Sequence, residues 1–224
     1  MSDLTLHLEI LPAPQRRVWS ELSQIPQDFV LYGGTAIALQ LGHRQSIDFD
    51  FFAFRPIDPQ HLLGTVPFLV GAQVLQMEPN TLTVLVDRGG PVQVSFFGTP
   101  KLGQISEPHK VASDGVSVAA LIDLAGTKAA VVQRRAEAKD YIDIDALIAR
   151  AGITLSNALA SAALIYGRQF TPQLTLKALS YFGEGDLDTV PRSVKTRLLD
   201  AVSKTDLDDL PELDAIRSHG ESGA

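Results

Sequence analysis

The chain contains no cysteine. That excludes disulfides and thiolate zinc sites, and it fits a cytoplasmic protein. Long apolar runs are missing too. No stretch approaches the roughly 20 residues that span a bilayer, so no membrane partner is expected. The first residues lack a basic segment followed by an apolar one, so no secretory leader is expected either. Basic residues are in the minority, 19 Lys and Arg against 26 Asp and Glu, for a net charge of −7. Overall charge therefore disfavours nucleic acid. An RNA partner would need a local basic patch, for which Lys128, Arg134, Arg135 and Lys139 are the dense candidates. The five histidines, at 7, 43, 61, 109 and 219, show no metal-ligand spacing. Internal repeats and low-complexity segments are absent. What remains is 224 residues, 45% of them hydrophobic, enough to bury one sizeable core and a smaller satellite.

Against that ordinary background, residues 31–52 stand out: LYGGTAIALQLGHRQSIDFDFF. A short apolar run ends at Gly33-Gly34, and Thr35 to Leu41 reads as a helix. A glycine pair between strand and helix lets backbone approach a ligand, and the N–H groups at the helix start attract anions, so the segment reads as a phosphate cradle. Thr35 is the helix N-cap, a hydroxyl contact to a triphosphate, or both. Thirteen residues separate Gly34 from Asp48, and Asp50 follows beyond one phenylalanine. Residues two apart on a strand share a face, so the two carboxylates project together. Like charges at close range repel, and a divalent cation between them removes the cost. Mg²⁺ (or Mn²⁺) suits such hard oxygen ligands and fills its other positions with water and phosphate. Ile47, Phe49, Phe51 and Phe52 are expected to anchor this strand in a core. Arg44 is the better phosphate contact beside His43, which reads as solvated.

A second block, residues 123–148, reads DLAGTKAAVVQRRAEAKDYIDIDALI. At about 100° per residue, Lys128, Arg135 and Lys139 fall within about 20° of one line, with Asp143 about 60° away. Taken alone, such a stripe is a solvated, salt-bridged helix face.

Glycine pair, spacer and Asp-hydrophobic-Asp together resemble the active-site motif of DNA polymerase beta type nucleotidyltransferases. Within that superfamily, GGTAIALQLGHRQSIDFDFF is most similar to the AbiEii/AbiGii toxin family, and the block at 123–148 is similar to that family's helical motif. The resemblance implies a metal-dependent nucleotidyltransferase that moves a nucleoside monophosphate from a nucleoside triphosphate to an RNA (tRNA-like) or protein hydroxyl, as the toxin of a toxin–antitoxin or abortive-infection system with a cognate antitoxin. Asp48 and Asp50 would be catalytic and hold the metal. Gly33, Gly34, Thr35, Arg44, Ser46 and Arg135, or Arg134 in its place, would contact phosphates. Lys128 would bind them as a point charge, oriented by Asp140 or Asp143, between which spacing does not choose. One departure stands out. Polymerase-beta-type catalysis generally uses a third carboxylate on a neighbouring strand, and the expected strand, PVQVSFF at 91–97, offers Gln93 and Ser95 instead. The third acid then comes from elsewhere, with Glu107 a weak candidate, or the metal is held less tightly, or catalysis is lost. The last alternative leaves a catalytically silent nucleotide-binding or partner-binding protein that retains the fold.

The expected fold class is α+β: a small mixed β-sheet nucleotidyltransferase core with flanking helices over residues 1–115, followed by a C-terminal helical bundle over 116–224 that contributes Lys128 and the KDYID helix. Helices are expected at 14–24, 58–63, 117–134, 137–150, 155–167, 172–182, 191–203 and 206–218, and strands at 70–77, 81–86 and 91–97, the last two joined through Asp87-Arg88-Gly89-Gly90. Trp19 and Leu22 are expected on one apolar helix face, with Trp19 in the core. Residues 98–116 read as a connector. Residues 184–224 hold ten acids and five bases, most of the net charge, and the end of the chain reads as a solvated helix, KTDLDDLPELD, with a frayed HGESGA terminus. That acidity suits a basic partner such as an antitoxin.

Overall fold

A computed structural model describes residues 4–111 and 115–220, and the last four residues of HGESGA lie outside them. The chain divides into two compact units. One takes Met1–Lys101, Pro108–Ala119 and Gly220–Ala224, and the other Leu102–Glu107 and Ala120–His219.

The first unit is built on a seven-stranded mixed sheet. Its strands are β1 (Val30–Tyr32), β2 (Phe49–Ala53), β3 (Gln73–Glu78), β4 (Thr81–Asp87), β5 (Pro91–Gly98), β6 (His109–Lys110) and β7 (Ser117–Val118), in the spatial order β3-β4-β5-β2-β1-β7-β6. β2 lies antiparallel to β1 and parallel to β5. Period-2 patterning decides the two faces. Phe49, Phe51, Leu82, Val84, Val86, Val92, Val94 and Phe96 are all buried and form the core side. Phe51 stacks on Phe96, and Trp19 of α1 (Ala13–Trp19) packs on Phe49. α1 is shorter than expected, and Leu22 falls in a separate short turn. The β4–β5 turn forms as its residues demand, with the Asp87 carboxylate accepting from the Gly89 and Gly90 N–H groups. The other two helices here are α2 (Gly33–Leu41) and α3 (Pro59–Thr65), the latter capped by Asp58.

The second unit is helical: α4 (Leu121–Val131), α5 (Ala138–Ala151), α6 (Leu155–Tyr166), α7 (Pro172–Leu179) and α8 (Arg192–Ser203). α4 packs closely on α6 because Gly126 carries no side chain, and a Cβ there would strike the Ser161 hydroxyl. The Asp123 carboxylate, fully buried near the start of α4, accepts from the Ile105 and Ser106 N–H groups at 2.7 and 3.0 Å, and so ties the 102–107 segment to the helices.

Three expectations about elements fail. Ser117 begins a strand, and the helix starts at Leu121. Residues 206–218 form no helix, since Pro211 interrupts the pattern and cannot donate the helical hydrogen bond. Ile47 is 55% exposed and does not anchor the core, although its carbonyl accepts from the Gln15 amide.

Candidate active site

In the sheet unit, α2 begins at Gly33, directly after β1. Gly33 has φ of +73°, where side-chain-bearing residues are strained, and a Cβ there would lie 2.6 Å from Asp50 Oδ2. The carboxylate of Asp50 thus occupies the space that Gly33 leaves open, at the N-terminal end of α2. The backbone N–H groups and dipole of that end favour negative charge. No side chain caps this helix. Thr35 is its third residue and not its N-cap. The Thr35 hydroxyl is buried, donates to the Asp48 carbonyl and lies 2.7 Å from Ser46 Oγ. Thr35 and Ser46 therefore fasten the backbone that carries Asp48.

Asp48 immediately precedes β2 and Asp50 lies within it. Phe49 between them is fully buried, while both aspartates are half-buried on the other side. Register completes the row across the sheet: Asp50 is paired with Tyr32 on β1 and Ser95 on β5, and Ser95 with Thr83 on β4. Tyr32 stacks on Phe52, one position along the same face as Asp50, with ring centroids 4.7 Å apart. The place beside Asp50 on the neighbouring strand is thus held by Ser95, whose hydroxyl accepts a long hydrogen bond from Thr83 at 3.4 Å. Among the described residues no group of three or more His, Cys, Asp or Glu could hold a metal ion together. Glu107 is exposed. The donors on this face are two half-buried carboxylates and the buried Ser95 hydroxyl, all hard oxygens. This set fits Mg²⁺ or Mn²⁺, which keep water ligands, and suits neither zinc nor copper. Arg44 is half-buried and donates to the Gln45 carbonyl at 2.8 Å.

In the helical unit, the second block is not one helix. Residues 132–137 break it, and the chain turns back so that α4 and α5 face each other. The expected stripe gives way to a buried cluster. Lys128 Nζ lies 2.5 Å from Asp140 Oδ1 and 2.8 Å from Asp143 Oδ2, and both aspartates are fully buried. Both acids engage the lysine. Arg135 adds a second partner to Asp140, through Nε at 2.8 Å. Burial pushes the Asp140 carboxyl up, but the charges of Lys128 and Arg135 outweigh it and hold the group below the ordinary aspartate range. Lys139 turns away to Glu137. Sequence reasoning missed Tyr32 and Asp123. Only register reveals the first. The second sits in the first turn of a helix, where acids are common for dipole reasons alone.

Comparison with known proteins gives one family model over residues 17–218, described as "Nucleotidyl transferase AbiEii toxin, Type IV TA system". An uncharacterized protein of Aquifex aeolicus (strain VF5) is 31% identical over 160 residues, covering 70% of this chain and 75% of its own. Among solved structures, the nucleotidyltransferase toxin MenT4 from Mycobacterium tuberculosis H37Rv matches with a TM-score of 0.53 and 17% identity, over 86% of this chain and 84% of that one. A candidate nucleotidyltransferase from H. pylori matches with a TM-score of 0.50 and 15% identity, over 91% of this chain and 95% of its own. At such identities these structures establish the fold. No single helix among the described residues is long and apolar enough to cross a membrane.

Proposed function

The chain belongs to the nucleotidyl transferase AbiEii toxin family, and on that premise we propose that it transfers a nucleoside monophosphate from a nucleoside triphosphate to a hydroxyl of an RNA or protein acceptor. The acceptor oxygen bonds to the α-phosphorus, the bond to the bridging oxygen breaks, and pyrophosphate leaves. The observation that carries this is the Asp50 carboxylate seated against Gly33 at the start of α2. There, anion-attracting N–H groups meet two metal-fitting carboxylates.

The N–H groups of Gly33, Gly34 and Thr35 receive the outer phosphates. Asp48 and Asp50 would hold a divalent ion, which would supply charge neutralisation on the phosphates and a more acidic acceptor hydroxyl. The hydroxyls of Thr35 and Ser46 act through the backbone of Asp48, because both are spent inside the protein. Arg44 offers the phosphates a planar cation. For Lys128 the proposed part is a point charge toward the phosphates. Asp140 and Asp143 take two of its three N–H donors and fix its direction, and Arg135 braces Asp140. Catalysis is then mainly electrostatic and positional.

Ser95 beside Asp50 favours a second reading, a protein that binds nucleotide without turning it over. One experiment separates the two. The protein is incubated with each labelled nucleoside triphosphate, Mg²⁺ or Mn²⁺, and total RNA or cell lysate. Transfer predicts label on RNA or on protein. Binding without any labelled product contradicts it.

A further inference from the structure

The helical unit carries a groove of about 310 Å³ between the α4–α5 turn and α7 with its following loop, and of its lining only Arg135 enters the transfer mechanism, as the brace of Asp140. Its lining includes Arg134, Arg135, Lys177, Tyr181, Leu174 and Glu184. In a chain of net charge −7, Arg134 and Lys177 beside one groove are a local concentration of positive charge, while the third cation, Arg135, is paired with Asp140 and Glu137. Arg134 and Lys177 are exposed, and among the described residues neither takes part in an ion pair. Tyr181 is 58% exposed and Leu174 49%. Gly183 leaves room for the phenol end of Tyr181, since a Cβ there would sit 2.8 Å from the hydroxyl. The loop is pinned where the Ala138 N–H donates to Asp186 Oδ1 at 2.7 Å. The groove's volume falls in the range of small-ligand sites.

We propose that this groove is a second nucleotide-binding site. The base lies on Tyr181 and Leu174, the phosphate pairs with Arg134 and Lys177, and the Glu184 carboxylate accepts from ribose hydroxyls. Each lining group answers one part of a nucleotide. A plain phosphate site has no use for the aromatic face, and an apolar ligand has none for the cations. The same chemistry is presented by a free nucleoside monophosphate and by one unit of a single-stranded RNA. This inference does not depend on the transfer reaction.

The test measures binding by the full chain in EDTA, where the metal-supported triphosphate site is not engaged. Its probes are a short fluorescein-labelled oligoadenylate, followed by anisotropy, and unlabelled AMP as competitor. Tyr181→Ala is expected to weaken binding roughly 10-fold or more, and Tyr181→Phe to restore it. The double variant Arg134→Ala/Lys177→Ala is expected to weaken binding and flatten its dependence on salt, by about 0.7 in log–log slope for each phosphate of a single strand that is no longer neutralised. Displacement of the probe by AMP assigns the groove to a free nucleotide, and oligoadenylate binding that AMP does not displace assigns it to a strand. Absence of binding, or equal affinity and salt slope in parent and variants of unchanged thermal midpoint, overturns the proposal. Neither result bears on labelled-triphosphate transfer, which stands or falls by its own assay.

Discussion

Replacing Lys128 with methionine tests whether the α4–α5 cluster is held by charge. Methionine keeps much of the apolar stem and removes the ammonium. Asp140 and Asp143 are fully buried, and Lys128 Nζ is within 2.8 Å of both. Removing one partner of a buried ion pair costs about 3–5 kcal/mol, because the remaining charge stays desolvated. Arg135 still serves Asp140, but its side chain is 45% exposed and screened by water, so it offsets only a part. The exposed pair Lys204–Asp200 is an internal control, and Lys204→Met there should change stability by less than about 1 kcal/mol. The pH dependence has a definite sign. The folded Asp140 carboxyl sits below its unfolded value. Its contribution is therefore in place above about pH 4 and is lost as pH falls through the folded value. Lys128→Met removes the main lowering cause, so the gap between parent and variant should be widest near neutral pH and narrow on acidification. Adding Asp140→Asn and Asp143→Asn should recover part of the loss. Urea unfolding followed by circular dichroism measures all of this. Equal midpoints for parent and Lys128→Met at pH 7 would refute the reasoning.

Thr35→Val removes the buried hydroxyl bonded to the Asp48 carbonyl and Ser46, and should cost about 1–3 kcal/mol in thermal or urea unfolding and lower nucleotide transfer, while Thr35→Ser keeps most of both. Gly33→Ala places a Cβ 2.6 Å from Asp50 Oδ2 at a positive φ. It should cost about 1–2 kcal/mol in backbone strain and abolish transfer, as measured by unfolding and by labelled-triphosphate assay. Burial pushes the Asp123 carboxyl up to about 6, with the Ile105 and Ser106 N–H groups pulling the other way. The folded state then binds the proton more tightly than the unfolded one. Stability should fall as pH rises from about 4 to 6, by about 3 kcal/mol, and level off above, and Asp123→Asn should remove that slope in a pH series of urea melts.

Much of the sheet unit was legible because its signals are local. Alternation of Asp48, Phe49, Asp50 and Phe51 specifies which side chains enter the core, and Asp87-Arg88-Gly89-Gly90 specifies its turn. The Lys128 cluster was legible in its residues but not in its geometry. Separate helices are expected at 117–134 and 137–150, and the break between α4 and α5 falls close by, at residues 132–137, VQRRAE. A projection that carries one helix through that break aligns Lys128 with Arg135 and Lys139, whereas the folded chain delivers it to Asp140 and Asp143. Burial of that group is a tertiary property, and spacing alone reads it as a solvated stripe. Thr35 misled for a related reason. A hydroxyl after a glycine pair reads as a cap, yet α2 starts two residues earlier because Gly33 itself accepts the turn. At the end of the chain the sequence did carry the answer, since Pro211 stands inside the segment that was expected to be helical.

In the proposed reaction Asp48 and Asp50, beside the glycine-started helix, are required for nucleotidyl transfer. This requirement is tested most directly by assaying Asp48→Ala and Asp50→Ala beside the parent protein, with labelled nucleoside triphosphates, Mg²⁺ or Mn²⁺, and total RNA or lysate. Label transferred by the parent and lost in both variants, with unchanged unfolding midpoints, is the predicted result. Transfer at the parent's rate by either variant would contradict the account.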